Sequence, residues 1–400
     1  SRHAPGGAGT KPRWRADFPG GVPATAAIAA GTVFAASARG AVAALGLADG
    51  KERWRTELGT SAYGSGEGRR ELGFFGAVAV APGAVLVASD RIHCLDSLTG
   101  AVRWRAEPLR TAASDDYFWG APTVVGDLVL VGSGSGGELP TARGRVSAYS
   151  LADGSLLWST ATVPRGANGG GVIGPVSVDP GAGLVYAVTG SPYEAVPGPN
   201  PGTCSLLALR LDDGKVVWRD QVHRHDRRGF DFNGAPVIVG PRLFATNKDG
   251  VYAWNRRTHR RLWRRRVVDP IGPGEHAAGP TGGPEGGPIA SDGRRVYFLS
   301  NDPASGGCVA AALAPRDGRV LWQRPLPAPS FAAPALGGGR LYVAGSDGTL
   351  RALDAGSGRV VARASLGEPS SAAPALSRGR LVVGTGAAPY VPGSSLVCLG

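Results

Sequence analysis

The sequence predicts an all-β fold: an eight-bladed β-propeller of four-stranded antiparallel blades, with tryptophan-docking turns and with its N- and C-terminal strands paired to close the ring. Three observations predict it. A cadence recurs in which a small residue leads into a turn rich in Asp, Thr and Gly, with Trp ten residues on. Its sharpest copy is Cys94-Leu-Asp96-Ser-Leu-Thr99-Gly100-Ala-Val-Arg-Trp104. Ahead of the copies run alternating apolar stretches such as Leu128 to Val131, Gly183 to Ala187 and Arg340 to Ala344, each reading as a strand before a hairpin. Finally, Trp14 has no turn before it and Ser395 to Gly400 has none after it, so joining the two ends supplies the missing copy.

The elements follow in order. Docking positions fall at Trp14, Trp54, Trp104, Trp158, Trp218, Trp263 and Trp322, with Ala362 in the tryptophan's place, and successive positions lie 40 to 60 residues apart. One four-stranded unit of that length, copied eight times, buries its faces only against its neighbours. Ring closure removes the open sheet edges on which other chains aggregate. Each innermost strand is expected to start at a step from a small residue to Pro, as in Trp119-Gly-Ala-Pro122, Ile173-Gly-Pro175, Asn233-Gly-Ala-Pro236, Glu285-Gly-Gly-Pro288, Ala332-Ala-Pro334 and Ala372-Ala-Pro374. Residues just ahead of these steps are expected to face one mouth of the central channel. Tyr117, Phe118, Trp119, Phe230, Asp231, Asn233, Glu285 and Phe331 are too bulky or too polar there to be mere spacers.

Composition excludes several classes. The 400 residues hold 42% hydrophobic side chains, 64 Gly and 32 Pro, which suits a turn-rich chain with an ample core, and no run of eighteen apolar residues predicts a membrane span. The chain lacks Met, and Ser1 to Thr10 reads as a flexible tail left when an upstream segment is removed. Residues 11–400 then form one domain, and a secreted, periplasmic or cell-surface location is expected. A net charge of +12 comes almost wholly from Arg, with Lys only at 11, 51, 215 and 248. Its densest run, Arg256 to Arg266, straddles a docking turn and reads as a solvated outer rim; no base-reading motif accompanies it, so no nucleic-acid partner is expected. Cys94 and Cys398 share one register in the repeat and Cys204 and Cys308 another, without a CxxC spacing, which favours buried free thiols. His223 and His225 flank Arg224 as strand residues facing one side, a polar rim more readily than a metal pair. The glycine-rich run from Gly132 to Gly137 lacks the helix start of a phosphate loop.

The docking turns resemble those of the pyrroloquinoline quinone (PQQ) alcohol dehydrogenases, over essentially the whole chain. The same repeat occurs in non-enzymatic relatives, the BamB-type assembly propellers and the sensor domains of bacterial kinases, so it implies the fold and not the activity. Three segments resemble the quinoprotein active site. Val131 to Glu138 followed by Ala142-Arg143-Gly is similar to the family's glycine run ending in a calcium-binding Glu and an Arg-Gly step. This implies Glu138 as a calcium ligand and Arg143 beside the cofactor. His225 to Asn233 resembles the family's base-carrying segment, above all that of the polyvinyl-alcohol dehydrogenase branch, and implies Asp231 as base and cation neighbour with Asp226 nearby. Asn247-Lys248-Asp-Gly250 resembles the turn whose cation sits on the quinone oxygens.

Two departures accompany these matches. An indole that floors the family's cofactor is replaced by Ile173, and the family's calcium-bound Asn by Ser191, which precedes Pro192 and Tyr193. The resemblance thus implies catalytic Asp231, Asp226 and Lys248. It implies a cofactor wall of Trp119, Arg143, Ile173, Tyr193, Asn233, Lys248 and Glu285, and metal contacts from Glu138, Ser191 and Asp231. Three functions are compatible with this set. The first is a PQQ- and Ca²⁺-dependent oxidoreductase acting on an alcohol or sugar and passing electrons to a separate acceptor, since no CxxCH haem motif is present. The second is a non-catalytic propeller binding a protein or peptide, as an assembly factor or sensor. The third is a non-redox enzyme using Tyr193, His225, Asp226, Asp231 and Glu285 as acid-base groups.

Overall fold

Period-two alternation with both faces apolar gives strands that must be covered on each side, and every copy of the repeat folds as an antiparallel four-stranded meander, to which Asp116–Tyr117 adds a short fifth strand in blade 3. The computed structural model describes residues 9–63, 70–108, 116–135, 143–192, 198–226, 229–232, 234–268, 289–302, 304–386 and 393–400. Within them stand eight such blades, so the expected eight-bladed propeller is the architecture observed. Blade 1 spans Ala27–Ala29 to Glu52–Glu57, and blade 7 spans Ala335–Gly337 to Val360–Ser365. Blade 8 takes three strands from Ala375–Ser377, Arg380–Gly384 and Ser395–Leu399 and its outer strand, Pro12–Asp17, from the other end of the chain. The expected flexible tail, residues 1–8 of it, lies outside the described residues.

The eight hydrophobic clusters that build the core lie between blades. One joins Val42, Ala44 and Trp54 of blade 1 to Val85 and Leu95 of blade 2. The pattern steps round to the cluster that joins Val382, Leu396 and Cys398 of blade 8 to Val33 and Leu45 of blade 1. A fully buried branched aliphatic side chain contributes roughly 1.5–3 kcal/mol, and each blade has two such faces to cover. Innermost strands start directly after the Pro steps, at Thr123, Val237, Ile289, Ala335 and Ala375, and at Ser177 one residue further on. Those of blades 8, 1, 2 and 3 and of blades 5, 6, 7 and 8 touch in succession around the axis.

The register explains the small residue of the cadence. Ala44 lies opposite Trp54, Cys94 opposite Trp104, Ala148 opposite Trp158 and Cys398 opposite Trp14, so each indole rests against a partner with little bulk. The indole N–H then reaches the next blade's turn: Trp14 Nε1 donates to the Leu47 carbonyl at 3.0 Å, Trp54 to Ser97 at 3.1 Å and Trp322 to Ala355 at 3.0 Å. Turn glycines stand over these rings at positive φ. A Cβ on Gly50 would lie 2.7 Å from Trp14 and one on Gly100 2.5 Å from Trp54, which is why glycine is required there. In blade 5 the glycine is replaced by His259, at φ 57°, whose ring stacks on Trp218 at 4.7 Å. Blade 7 carries Ala362 because the turn its indole would meet does not exist: blade 8 is closed there by two separate stretches of chain.

Closure is reinforced by a polar clasp. Glu368 accepts from the hydroxyls of Thr385, Ser394 and Ser395, and Arg15 of the closing strand donates to Ser395 Oγ at 2.6 Å and to the Leu366 carbonyl. Burial by itself would raise the Glu368 pKa; the hydrogen bonds from Thr385, Ser394 and Ser395 outweigh it and hold the group at about 2. Its stabilising contribution is therefore complete above its ordinary value of 4.5 and is lost as pH falls from there through 2. Glu368→Gln should remove that part of the acid unfolding limb. The test is thermal unfolding of both proteins from pH 6 to 2, and an unchanged difference between them across that range would contradict it.

All four cysteines are buried free thiols, as expected. The Arg256 to Arg266 run is mostly exposed, and Arg261 pairs with both oxygens of Asp220. One insertion escaped the repeat: a hairpin of Ser61–Tyr63 with Arg70–Leu72 stands between blades 1 and 2. Among the described residues no helix is long and apolar enough to cross a membrane.

Candidate functional site at the channel mouth

Three chain reversals place the candidate residues. Blade 4 interrupts its second hairpin at Gly190 and Ser191, the approach to blade 5 runs through Asp226 to Phe232, and the tip of blade 5's hairpin between Arg242–Asn247 and Gly250–Asn255 carries Lys248. They meet because glycines let backbones close up. Gly190 N donates to the Gly171 carbonyl, and a Cβ at Gly190 would lie 2.9 Å from Asp231 Oδ1.

Asp231 is the centre of this cluster. Its Oδ1 accepts the Ser191 backbone N–H at 2.5 Å and its Oδ2 lies 3.8 Å from Lys248 Nζ; 28% of the Asp231 side chain and 16% of the Lys248 side chain reach solvent. Asp226 is more deeply set. Its Oδ2 accepts from Ser191 Oγ at 2.9 Å and from Phe230 N at 2.5 Å, closing the loop that presents Asp231. Asp226 thereby fixes the loop that carries Asp231. Ser191 ties the two acids together through its backbone N–H and its hydroxyl. Cys204 Sγ packs at 3.6 Å from that hydroxyl; burial, with Asp231 adding, pushes its thiol pKa well up and leaves it an inert neighbour.

Other predicted residues fall differently. Arg143 bridges to Gly169 and directs a guanidinium nitrogen 3.5 Å from the Val163 carbonyl. Ile173 is half-buried at the start of blade 4's inner strand. Trp119 is half-buried, its Nε1 donating to Gly134 O at 3.1 Å. Glu138, Tyr193, Asn233 and Glu285 lie outside the described residues.

Two expectations are corrected. Phe118, Tyr117 and Phe230 are each 1% exposed and do not face the mouth: Phe118 packs between blades against Tyr149, and Phe230 stacks on His223 at 5.1 Å. A strand places alternate residues on opposite faces, so the residues before one Pro step cannot all point to the axis. His223 and His225 are not strand residues sharing a side, because the strand ends at Gln221. His223 Nε2 lies 3.5 Å from Asp249 while the His225 ring borders Gly198. Among the described residues no three His, Cys, Asp or Glu side chains converge as a metal cluster.

Sequence reasoning missed Asn247. It is fully buried next to Lys248, its Oδ1 accepts the Asp249 N–H at 2.8 Å, and among the described residues its Nδ2 finds no acceptor. An Asn at a hairpin tip was the available signal, but such residues usually serve only the turn. Below the mouth a cavity of about 510 Å³ follows the inner wall of blades 4 to 6 past Ser177, Pro236, Val237, Val239 and Ile289.

With this geometry in place, comparison with known proteins is informative. The family model described as outer membrane protein assembly factor BamB matches residues 7–68, 66–279 and 275–396. The chain belongs to this family of PQQ-repeat propellers. Among curated relatives, the polyvinylalcohol dehydrogenase of a Pseudomonas species is 26% identical over 372 residues, covering 79% of this chain and 55% of that protein. The quinohemoprotein alcohol dehydrogenase ADH IIB of Pseudomonas putida is 30% identical over 264 residues, covering 58% of this chain and 37% of that protein. The chain thus spans about half the length, or less, of these curated relatives. Among solved structures, a europium-containing methanol dehydrogenase superposes with a TM-score of 0.78 at 20% identity, covering 98% of this chain and 93% of that one. BamB from Moraxella catarrhalis gives 0.64 at 18% identity, covering 98% and 97%. At these identities the structural likeness shows the fold.

Proposed function

We propose that this PQQ-repeat propeller is a quinoprotein-type oxidoreductase that oxidises an alcohol or a sugar hydroxyl at the channel mouth. The observation that carries this reading is the Asp231–Lys248 pair, 3.8 Å apart and partly open to solvent where the segments carrying them meet the reversal at Gly190 and Ser191. A carboxylate beside a fixed ammonium suits removal of a hydroxyl proton while a neighbouring oxygen gains negative charge. The relatives named as polyvinylalcohol and quinohemoprotein alcohol dehydrogenases support the same class.

The residues present fit PQQ with a hard cation in charge and donor type. Asp231 supplies carboxylate oxygens, Ser191 a hydroxyl and Lys248 a positive charge for a quinone oxygen, with Glu138 as the further proposed ligand. When bound, calcium-polarised PQQ supplies the acceptor for the hydride that leaves the alcohol carbon. Asp231 takes the hydroxyl proton, and the O–H electron pair becomes the second bond of the carbonyl while the C–H pair leaves with the hydride. Ser191 and Asp226 hold the base in place, and Lys248 keeps its charge compensated. These 400 residues hold no CxxCH haem motif, so on this proposal the electrons pass to an acceptor outside them. On this proposal the protein works outside the cytoplasm.

A second reading is favoured by one observation. Ile173 offers no aromatic floor where the resemblance implies an indole, so the same fold reads equally as a protein-binding propeller of the assembly-factor kind. Incubation with PQQ and CaCl₂, then primary alcohols, secondary alcohols and aldoses with a redox dye, distinguishes the two. Dye reduction and a raised melting temperature are expected, since a ligand that binds the native state stabilises it. No reduction and no thermal shift would leave the protein-binding reading in its place.

A further inference from the structure

The positive charge of this chain is gathered in one place. From Arg210 to Arg266 fifteen Arg and Lys stand against six Asp and Glu, a surplus of nine out of the net +12, so the rest of the ring is nearly neutral. The densest stretch, Arg256 to Arg266, holds seven Arg and no acid. It forms the docking turn and the outer strand of blade 5, on the perimeter of the ring.

The acids that answer these arginines lie beneath them. Arg256 pairs with Asp179 at 3.2 Å and Arg261 with Asp220 at 2.8 Å, both carboxylates belonging to blade 4, while Arg264 at 2.7 Å and Arg266 share Asp249. The Asp249 side chain is 2% exposed against 45% for Arg264, so the carboxylate is inside and the guanidinium faces water. Among the described residues three carboxylates thus serve seven arginines. Arg265 engages only the Gly318 carbonyl, and the exposed Arg257 and Arg260 have no acidic partner among the described residues. Stapling the seam between blades 4 and 5 accounts for Arg256 and Arg261, but it accounts for neither Arg257 nor Arg260. A guanidinium anchored from below also loses little freedom when it meets an anion above.

Aliphatic side chains stand among these cations. Leu262 is 41% exposed, and Val217, the residue that likewise precedes the docking Trp of blade 4, is 48% exposed. A soluble polyanion would leave both wet, whereas a bilayer offers phosphates to the guanidiniums and an acyl boundary to the leucine and valine. We propose that the docking turn and outer strand of blade 5, with the adjoining edge of blade 4, form a contact surface for an anionic lipid bilayer. Arg257, Arg260 and Arg264 meet headgroup phosphates there, and Leu262 enters the headgroup boundary. This surface is independent of the chemistry at the channel mouth.

Co-sedimentation with vesicles of phosphatidylcholine alone, or of phosphatidylcholine with phosphatidylglycerol, tests it at low and at high NaCl. The wild-type chain should bind only the anionic vesicles and should leave them at high salt, because exposed charges are then screened. Arg257→Gln combined with Arg260→Gln keeps every ion pair of the seam and should weaken binding about 25-fold, or about fivefold for each cation lost from an anionic surface. Leu262→Ser should weaken vesicle binding while retention by inorganic polyphosphate stays at the wild-type level. Both variants should melt like the wild type, since all three side chains are exposed. Unchanged vesicle binding by the double variant would overturn the proposal, as would a wild-type chain that ignores anionic vesicles at low salt. Wild-type vesicle binding by Leu262→Ser, with polyphosphate displacing the vesicles, would overturn the bilayer in favour of a soluble polyanion. The oxidoreductase reading rests on Asp231 and Lys248 and stands or falls apart from these outcomes.

Discussion

Asp231→Asn should lower PQQ-dependent dye reduction by about 10²- to 10⁴-fold, the range expected when a positioned general base is lost. The substitution keeps an oxygen that accepts the Ser191 N–H, now 2.5 Å from Oδ1, so the reversal at Gly190 and the loop behind it have no reason to move. What disappears is the proton acceptor and the negative charge facing Lys248 at 3.8 Å. Affinity for PQQ measured by dialysis with CaCl₂ should also fall, because the same carboxylate is a proposed cation ligand, but less than turnover, which loses the base as well. Turnover within a few-fold of wild type would remove Asp231 from the chemistry. A matched fall in affinity and turnover would make it a binding residue instead.

Deleting residues 1–17 should be the most damaging change to the fold. It removes the outer strand of blade 8, including the pairing of Trp14 with Cys398 and of Arg15 with Val397, and it frees the Trp14 indole's place over Gly50. Loss of a packed Trp costs about 3–5 kcal/mol. The exposed edge of Ser395–Leu399, all buried in the closed ring, becomes a template for another chain. The expected outcome is a markedly lower melting temperature together with higher-mass species in size-exclusion chromatography. A truncated chain that melts and elutes like the full one would show that closure through Pro12–Asp17 is dispensable. A Trp14→Ala variant separates the loss of packing from the loss of the strand, since only the deletion exposes the edge.

The architecture was legible because it is written as a local rule repeated many times. The small residue, the turn glycine and the Trp ten residues on are three contacts of one structural unit, and Ala44, Gly100 and Trp54 show how each constrains the next. Even the irregular copy carried its meaning: Ala362 stands where the ring has no turn to receive an indole. The hairpin carrying Tyr63 was not legible, because an insertion between repeats follows no period. Nor was the inward or outward sense of residues beside the Pro steps, which the pleat alternates. Phe118 went to the core between blades while Trp119, one position on, kept a face toward the mouth.

By itself, then, the sequence determined an eight-bladed ring closed by its two ends and the segments from which a site would be drawn, and it favoured the free thiols that the structure shows. Those properties depend on contacts within a repeat or between adjacent repeats, whose spacing is visible along the chain. Only the tertiary structure decided that Ser191, Asp226, Asp231 and Lys248 share one recess, that Ser191 clamps both acids, and that Trp119 packs against Tyr63, Phe75 and Tyr117. These contacts join residues from blades 2 to 5 that no local pattern couples, and they exist because ring closure turns every inner-strand start toward a common axis.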